Sequence, residues 1–219
     1  MDNLVKICGL STPETVDVAL HAGADMVGFV RISKSPRHVS LDLGHKLSLQ
    51  ARGRTQRVVL LLDPIDEDIA QAVEAIDPDL IQLHGSETPE RVAEIRSMVK
   101  RPVMKALGIA EPSDLQALTS YAGADHILLD AKPPRTADAL PGGNGVPFDW
   151  RLLNGLDPKV SFMLSGGLNP DNVAEAIRLT KAQAVDVSSG VEVGPGLKDP
   201  AKIEAFIRAA RTAFAAARH

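Results

Sequence analysis

Lys6-Ile7-Cys8-Gly9 closes the first apolar run of the chain, and the pattern it begins repeats to the end. Val5 and Ile7 alternate with polar neighbours and Gly9 breaks the run, which reads as a short strand ending in a loop. Thr12-Pro13 then marks a helix start. The threonine oxygen accepts a free backbone N–H, and proline at the first helical position loses no needed donor. Ala22-Gly23-Ala24-Asp25 ends that helix, its glycine suiting a left-handed stop, and a second strand follows at once.

Working outward, strand-like runs fall at 4–8, 26–30, 57–62, 80–83, 103–106, 126–130, 160–164 and 184–188. Between them apolar residues recur three and four apart. Ile69, Val73 and Ile76 form one stripe, Val92, Ile95 and Val99 another, and Ile203, Phe206, Ile207 and Ala210 a third. Thr88-Pro89, Asn169-Pro170 and Asp199-Pro200 repeat the capped start. Eight strands each followed by a helix predict a parallel sheet covered by helices. Ala122-Gly123-Ala124-Asp125 before the sixth strand echoes the segment before the second, which favours two similar halves and a closed barrel. The expectation is one α/β domain over 1–219, a (β/α)8 or TIM barrel. Residues 131–147, rich in proline and glycine, read as a functional loop after strand six. Too little chain follows them to build a second core.

Bulk composition narrows the function. A chain of 219 residues with Lys+Arg 24 against Asp+Glu 28 carries a formal charge of −4, with 3% aromatics. That is a poor profile for nucleic-acid binding. One cysteine excludes an intrachain disulfide, no apolar run reaches the roughly 18 residues of a membrane span, and Met1-Asp2-Asn3 lacks a signal-peptide pattern. The expectation is a cytoplasmic protein without membrane or nucleic-acid partners. A monomer is the default and a homodimer stays open.

In a closed βα barrel the chemistry sits at the C-terminal ends of the strands. Those ends offer Lys6 and Cys8, Arg31, Gln82 and His84, Lys105, Asp130, Ser165-Gly166-Gly167, and Asp186 with Ser188-Ser189-Gly190. Gly166, Gly167, Ser188, Ser189 and Gly190 suit a phosphate held by backbone N–H groups after strands seven and eight. Gly143 and Gly145, in Gly142-Gly143-Asn144-Gly145, read as further donors or as a merely flexible loop. Cys8 reads as a base whose pKa nearby positive charge draws down, or as an inert core thiol. Asp130, approached by apolar residues, reads as a general acid or as a salt-bridged strand end. Arg37 suits a carboxylate or phosphate on a substrate. Lys6, Gln82 and His84 stand as substrate-binding candidates. Asp186 reads as a tie within the barrel interior, and Lys105 as a minor Schiff-base candidate. The histidines at 21, 38, 45, 84, 126 and 219 show no ligand spacing, so no metal is expected.

Taken together, these pieces resemble the phosphoribosylanthranilate isomerase family of the tryptophan pathway. The resemblance rests on Lys6-Ile7-Cys8-Gly9-Leu10, Gly28-Phe29-Val30, Lys34-Ser35-Pro36-Arg37, Gln82-Leu83-His84-Gly85 and Leu128-Leu129-Asp130. It continues through Gly142-Gly143-Asn144-Gly145, Ser165-Gly166-Gly167-Leu168 and Asp186-Val187-Ser188-Ser189-Gly190-Val191-Glu192. It implies Cys8 as base, Asp130 as acid, Arg37 on the anthranilate carboxylate and the glycine-serine loops on the phosphate. The implied reaction is an Amadori rearrangement needing no cofactor. The chain departs from the family at Ser165, usually alanine, and at Asn144, usually threonine or serine. Without the resemblance, another phosphosugar-barrel isomerase or epimerase, or a non-catalytic phosphosugar-binding barrel, fits the same glycines.

Overall fold

The computed structural model describes residues 3–132, 149–157 and 160–217. Its centre is a closed barrel of eight parallel strands in the order β1 to β8, with β1 pairing both β2 and β8. The strands are β1 Leu4–Cys8, β2 Met26–Val30, β3 Gln56–Leu61, β4 Leu80–Leu83, β5 Val103–Ile109, β6 His126–Ala131, β7 Met163–Leu164 and β8 Ala184–Val187. The (β/α)8 expectation therefore holds.

Helices α1 Pro13–His21, α2 Leu41–Ala51, α3 Asp66–Ile76 and α4 Pro89–Val99 follow the first four strands. After β5 comes a 3₁₀ turn, Pro112–Gln116, and a four-residue helix, α5 Ala117–Ser120. After β6 the described helical segment is the 3₁₀ turn Trp150–Gly155. Helices α6 Val173–Thr180 and α7 Pro200–Ala216 complete the ring. A short hairpin, β9 Glu192–Gly194 with β10 Leu197–Lys198, lies between β8 and α7. No helix of the described residues is long and apolar enough to cross a membrane.

Thr12, Thr88 and Asp199 cap α1, α4 and α7 as expected, each side chain accepting a backbone N–H. The Asn169-Pro170 start is corrected. Asn169 Oδ1 instead takes the N–H groups of Asp171 and Asn172 in a turn, and α6 begins at Val173. Gly23 has the left-handed stop (φ +88°), whereas Gly123 is not among the glycines with positive φ. What the two echoing segments share is the aspartate. Asp25 Oδ2 accepts the Val5 N–H at 2.7 Å, and Asp125 Oδ2 accepts the Val103 N–H at 2.9 Å. Each carboxylate satisfies a strand-start donor on the preceding strand of the barrel.

Alternation along the strands divides the core. Val5, Ile7, Val27, Phe29, Val59, Ile81 and Leu129 face outward and pack with the helices in one large cluster. Inside the barrel, Leu4, Met26, Val58, Leu80, Met104, Leu128, Met163 and Ala184 form an apolar plug, one residue from each strand, and Ala106 of β5 packs with them. Burying each large side chain contributes about 1.5–3 kcal/mol. Two residues further along the same strands the inward positions are Lys6, Gly28, Leu60, Gln82, Ala106, Asp130, Ser165 and Asp186. There Lys6, Gln82, Asp130, Ser165 and Asp186 bring polar groups into the interior beside Gly28, Leu60 and Ala106.

Candidate active site

The polar end of the barrel has two sides. On the first, Cys8 ends β1 and is 3% exposed. Opposite it on β2 is Gly28, where a Cβ would lie 2.9 Å from Cys8 Sγ, so the glycine makes room for the sulfur. Beneath the thiol, Lys6 is fully buried and its Nζ sits 2.8 Å from Asp186 Oδ1. Ser165 Oγ donates to the other oxygen of Asp186 at 3.2 Å. Asp186 thus ties the interior together, and the hydroxyl at 165 joins the tie.

Above Cys8, the Arg37 guanidinium grips Glu192 with both ends, Nε to Oε1 at 2.7 Å and Nη2 to Oε2 at 2.9 Å. Lys198 Nζ donates to Glu192 Oε1 at 2.7 Å, to the Ser188 carbonyl at 2.8 Å and to Ser188 Oγ at 3.3 Å. Gly9 holds φ +76°, and a Cβ there would meet Arg37 Cδ at 2.7 Å, so the strand-end turn needs glycine twice over.

Burial pushes the Cys8 thiol pKa above its ordinary value, although the positive charges of Lys6 and Lys198 pull the other way. The sequence-based expectation of a lowered thiol pKa is thus corrected. The site is so enclosed that desolvation of the thiolate outweighs the nearby lysines. Burial also presses on Lys6, but Asp186 and then Cys8 outweigh it and hold its pKa up. For Lys198 burial wins and its pKa falls, with Glu192 only partly offsetting it. Burial would raise Glu192, but Arg37 and Lys198 hold its carboxyl below the usual range.

The second side centres on a carboxyl and an imidazole. Asp130, near the end of β6, is 7% exposed. Its Oδ1 accepts the Ala131 N–H at 2.9 Å, and its Oδ2 lies 3.1 Å from His84 Nε2. His84 Nδ1 lies 3.1 Å from Gln82 Nε2. Asp130 and His84 border a cavity of about 350 Å³ with Asp63, Ser86, Gly108 and Ala131 among its walls. Gly166 (φ +84°) comes so close that a Cβ would lie 3.0 Å from Asp130 Oδ1. The turn after β7 therefore abuts the carboxyl.

Gly166 and Gly167 both have positive φ, and Asn172 Nδ2 fixes the Gly167 carbonyl at 2.9 Å. Ser189 and Gly190 begin a 3₁₀ turn after β8, and a Cβ on Gly190 would collide with the Leu168 carbonyl. The turns after β7 and β8 are thus in contact. Gly143 and Gly145 lie outside the described residues.

Three placements differ from the sequence reading. Lys6 spends its charge on Asp186 inside the barrel and is closed off from the mouth. Gln82, also fully buried, reaches His84. Lys105 faces outward, where Nζ meets Glu87 Oε2 and the Gly85 carbonyl, both at 2.6 Å. That removes it as a Schiff-base lysine. Glu192 and Lys198 went unassigned in the sequence. Nothing local marks a carboxylate that meets an arginine 155 positions away.

A family model described as N-(5'phosphoribosyl)anthranilate (PRA) isomerase matches residues 5–209. The chain is 57% identical over 215 residues to the N-(5'-phosphoribosyl)anthranilate isomerase of Azorhizobium caulinodans, covering 98% of this chain and 94% of that one. It is 55% identical to the enzyme of Nitrobacter winogradskyi, covering 97% and 95%. Among solved structures, phosphoribosyl anthranilate isomerase from Thermotoga maritima superposes with a TM-score of 0.84 at 36% identity, covering 97% of this chain and all of that one. A phosphoribosyl anthranilate isomerase in complex with reduced 1-(o-carboxyphenylamino)-1-deoxyribulose 5-phosphate superposes with a TM-score of 0.83 at 34% identity, with the same coverage.

Proposed function

This chain belongs to the N-(5'-phosphoribosyl)anthranilate isomerase family, and from that premise we propose that Cys8 is the base and Asp130 the acid of its reaction. The chain is an isomerase of tryptophan biosynthesis acting on N-(5'-phosphoribosyl)anthranilate. The product is 1-(2-carboxyphenylamino)-1-deoxyribulose 5-phosphate.

Asp130 gives its proton to the furanose ring oxygen as the bond from that oxygen to C1′ breaks. The anthranilate nitrogen supplies the electron pair, leaving a protonated imine. Cys8, as thiolate, takes the proton from C2′, and those electrons form the C1′–C2′ double bond of an enolamine. A proton then arrives at C1′ as the enol hydroxyl loses one, and the ketone results. A positioned acid and a positioned base each contribute about 10²- to 10⁴-fold.

The observation that carries this reading is that both groups lie at the polar end of one closed barrel. Cys8 is on β1 and Asp130 on β6, with β7 and β8 between them on the shorter way round. A sugar between them would meet a sulfur from one side and a carboxyl from the other. Arg37 takes the anthranilate carboxylate, its guanidinium being oriented by Glu192. The phosphate rests on the turns after β7 and β8 through Gly166, Gly167, Ser188, Ser189 and Gly190, with Gly143 and Gly145 joining from the long loop. Lys6 and Lys198 serve the thiol by offsetting part of the cost of its negative charge.

The test follows the loss of phosphoribosylanthranilate fluorescence with the Arg37→Ala variant. KM rises by more than tenfold, while inhibition by inorganic phosphate changes little. Equal loss of both would remove Arg37 from the carboxylate.

A further inference from the structure

Gln82 and His84 stand behind Asp130 in a row, and the row has a direction. As placed, the Gln82 amide offers its Nε2 hydrogens to His84 Nδ1 at 3.1 Å. With that nitrogen as the acceptor, a ring proton on Nε2 faces Asp130 Oδ2 at 3.1 Å. The other carboxyl oxygen already holds the Ala131 N–H at 2.9 Å. Two donors therefore fix the plane of the Asp130 carboxyl, one on each oxygen.

Behind the row the backbone is clamped. Glu87 Oε2 accepts the Gly85 N–H at 3.0 Å, and Lys105 Nζ donates to the Gly85 carbonyl at 2.6 Å. Glu87 and Lys105 pair at 2.6 Å with both side chains 2% exposed. The His84 N–H is itself bound to the Leu61 carbonyl at 3.0 Å. Gln82 is fully buried, and its Oε1 has no hydrogen-bond partner among the described residues. A buried amide oxygen left unbonded is costly. It is tolerated here with the other end of the amide aimed at the histidine.

We propose that His84 is a positioning residue for the acid, and that Gln82 fixes its tautomer. As Asp130 releases its proton to the sugar, negative charge develops on the carboxyl. The Nε2–H of His84 is already aimed at that charge, so it stabilises the transition state more than the ground state. No proton leaves His84 in this step. The inference rests on Asp130 being the acid, and it revises the reading of Gln82 and His84 as residues that touch substrate.

The experiment is a double-mutant cycle on the full chain with phosphoribosylanthranilate as substrate, thermal melts confirming that each variant folds. His84→Ala lowers kcat by about 10- to 100-fold and changes KM by less than about threefold. His84→Gln, which keeps an N–H donor, recovers most of the loss. Gln82→Met, of similar volume, loses a smaller factor. In an Asp130→Asn background His84→Ala has no further effect, because its route to the reaction is gone. Equal factors lost in both backgrounds, or a loss confined to KM, would show His84 touching substrate and overturn the proposal. If His84→Ala fails to fold, His84→Gln and Gln82→Met decide it. His84→Gln near parental kcat with a reduced Gln82→Met supports the relay, and Gln82→Met at parental kcat defeats it. Full turnover by Asp130→Asn alone would instead defeat the assignment of the acid.

Discussion

Two sets of inward positions, a lower and an upper level counted along each strand and two residues apart, differ in chemistry: the lower is apolar throughout, and the upper carries Lys6, Gln82, Asp130, Ser165 and Asp186. The lower level is Leu4, Met26, Val58, Leu80, Met104, Leu128, Met163 and Ala184. The upper is Lys6, Gly28, Leu60, Gln82, Ala106, Asp130, Ser165 and Asp186. The strands and the barrel wall are the same at both levels. The upper one lies nearer the C-terminal ends of the strands, where Asp130 borders a cavity while Lys6 and Gln82 stay fully buried. The lower level stabilises the fold, and the upper level spends part of that stability on buried ions and amides.

Cys8→Ser, just above the upper level, is expected to lower kcat by about 10²- to 10⁴-fold, with its urea midpoint close to the parent's. Near-normal turnover would take the sulfur out of the mechanism. Next, Asp186→Asn strands the Lys6 ammonium inside the barrel and costs about 3–5 kcal/mol in urea unfolding. A loss below about 1 kcal/mol would mean that water or another oxygen takes over. Leu128→Ala, one inward position below Asp130, costs about 2–5 kcal/mol but leaves kcat of the folded protein within a few-fold. A collapse of kcat without loss of stability would blur the two levels.

The smallest effect is a shift in pH. Because burial holds the Cys8 thiol up, thiolate forms only as pH rises past the ordinary cysteine value. Iodoacetamide alkylation should therefore climb late. Lys198→Met removes a positive charge that pulls the thiol down, and should move the climb to higher pH. A shift to lower pH would contradict the charge arrangement.

Period and capping carried the fold. The strand bounds at 4–8, 26–30 and 80–83 match the structure, and strand three is displaced by a single residue. Strand seven is the weak one. Only Met163–Leu164 pair, so the apolar run from 160 overstates it. The wall after β5 also departs from the pattern, because Pro112, Ser113 and Asp114 open a 3₁₀ turn and α5 is left with only Ala117–Ser120. The strand-end positions of Cys8 and Asp130 were legible because a lone polar residue at the end of an apolar strand is a local signal. The direction of the Cys8 shift was not, since it depends on how completely the other strands enclose the sulfur. Glu192 and Lys198 were invisible for a related reason. Their meaning lies in Arg37 and Ser188, which only the closed barrel and its hairpin bring near.

The most direct test of the acid–base assignment is Asp130→Asn, assayed for turnover at saturating phosphoribosylanthranilate and for binding of reduced 1-(o-carboxyphenylamino)-1-deoxyribulose 5-phosphate. The expected result is that kcat falls by about 10²-fold or more while the product analogue still binds within a few-fold of the parent. Turnover within about tenfold of the parent, with binding intact, would contradict it.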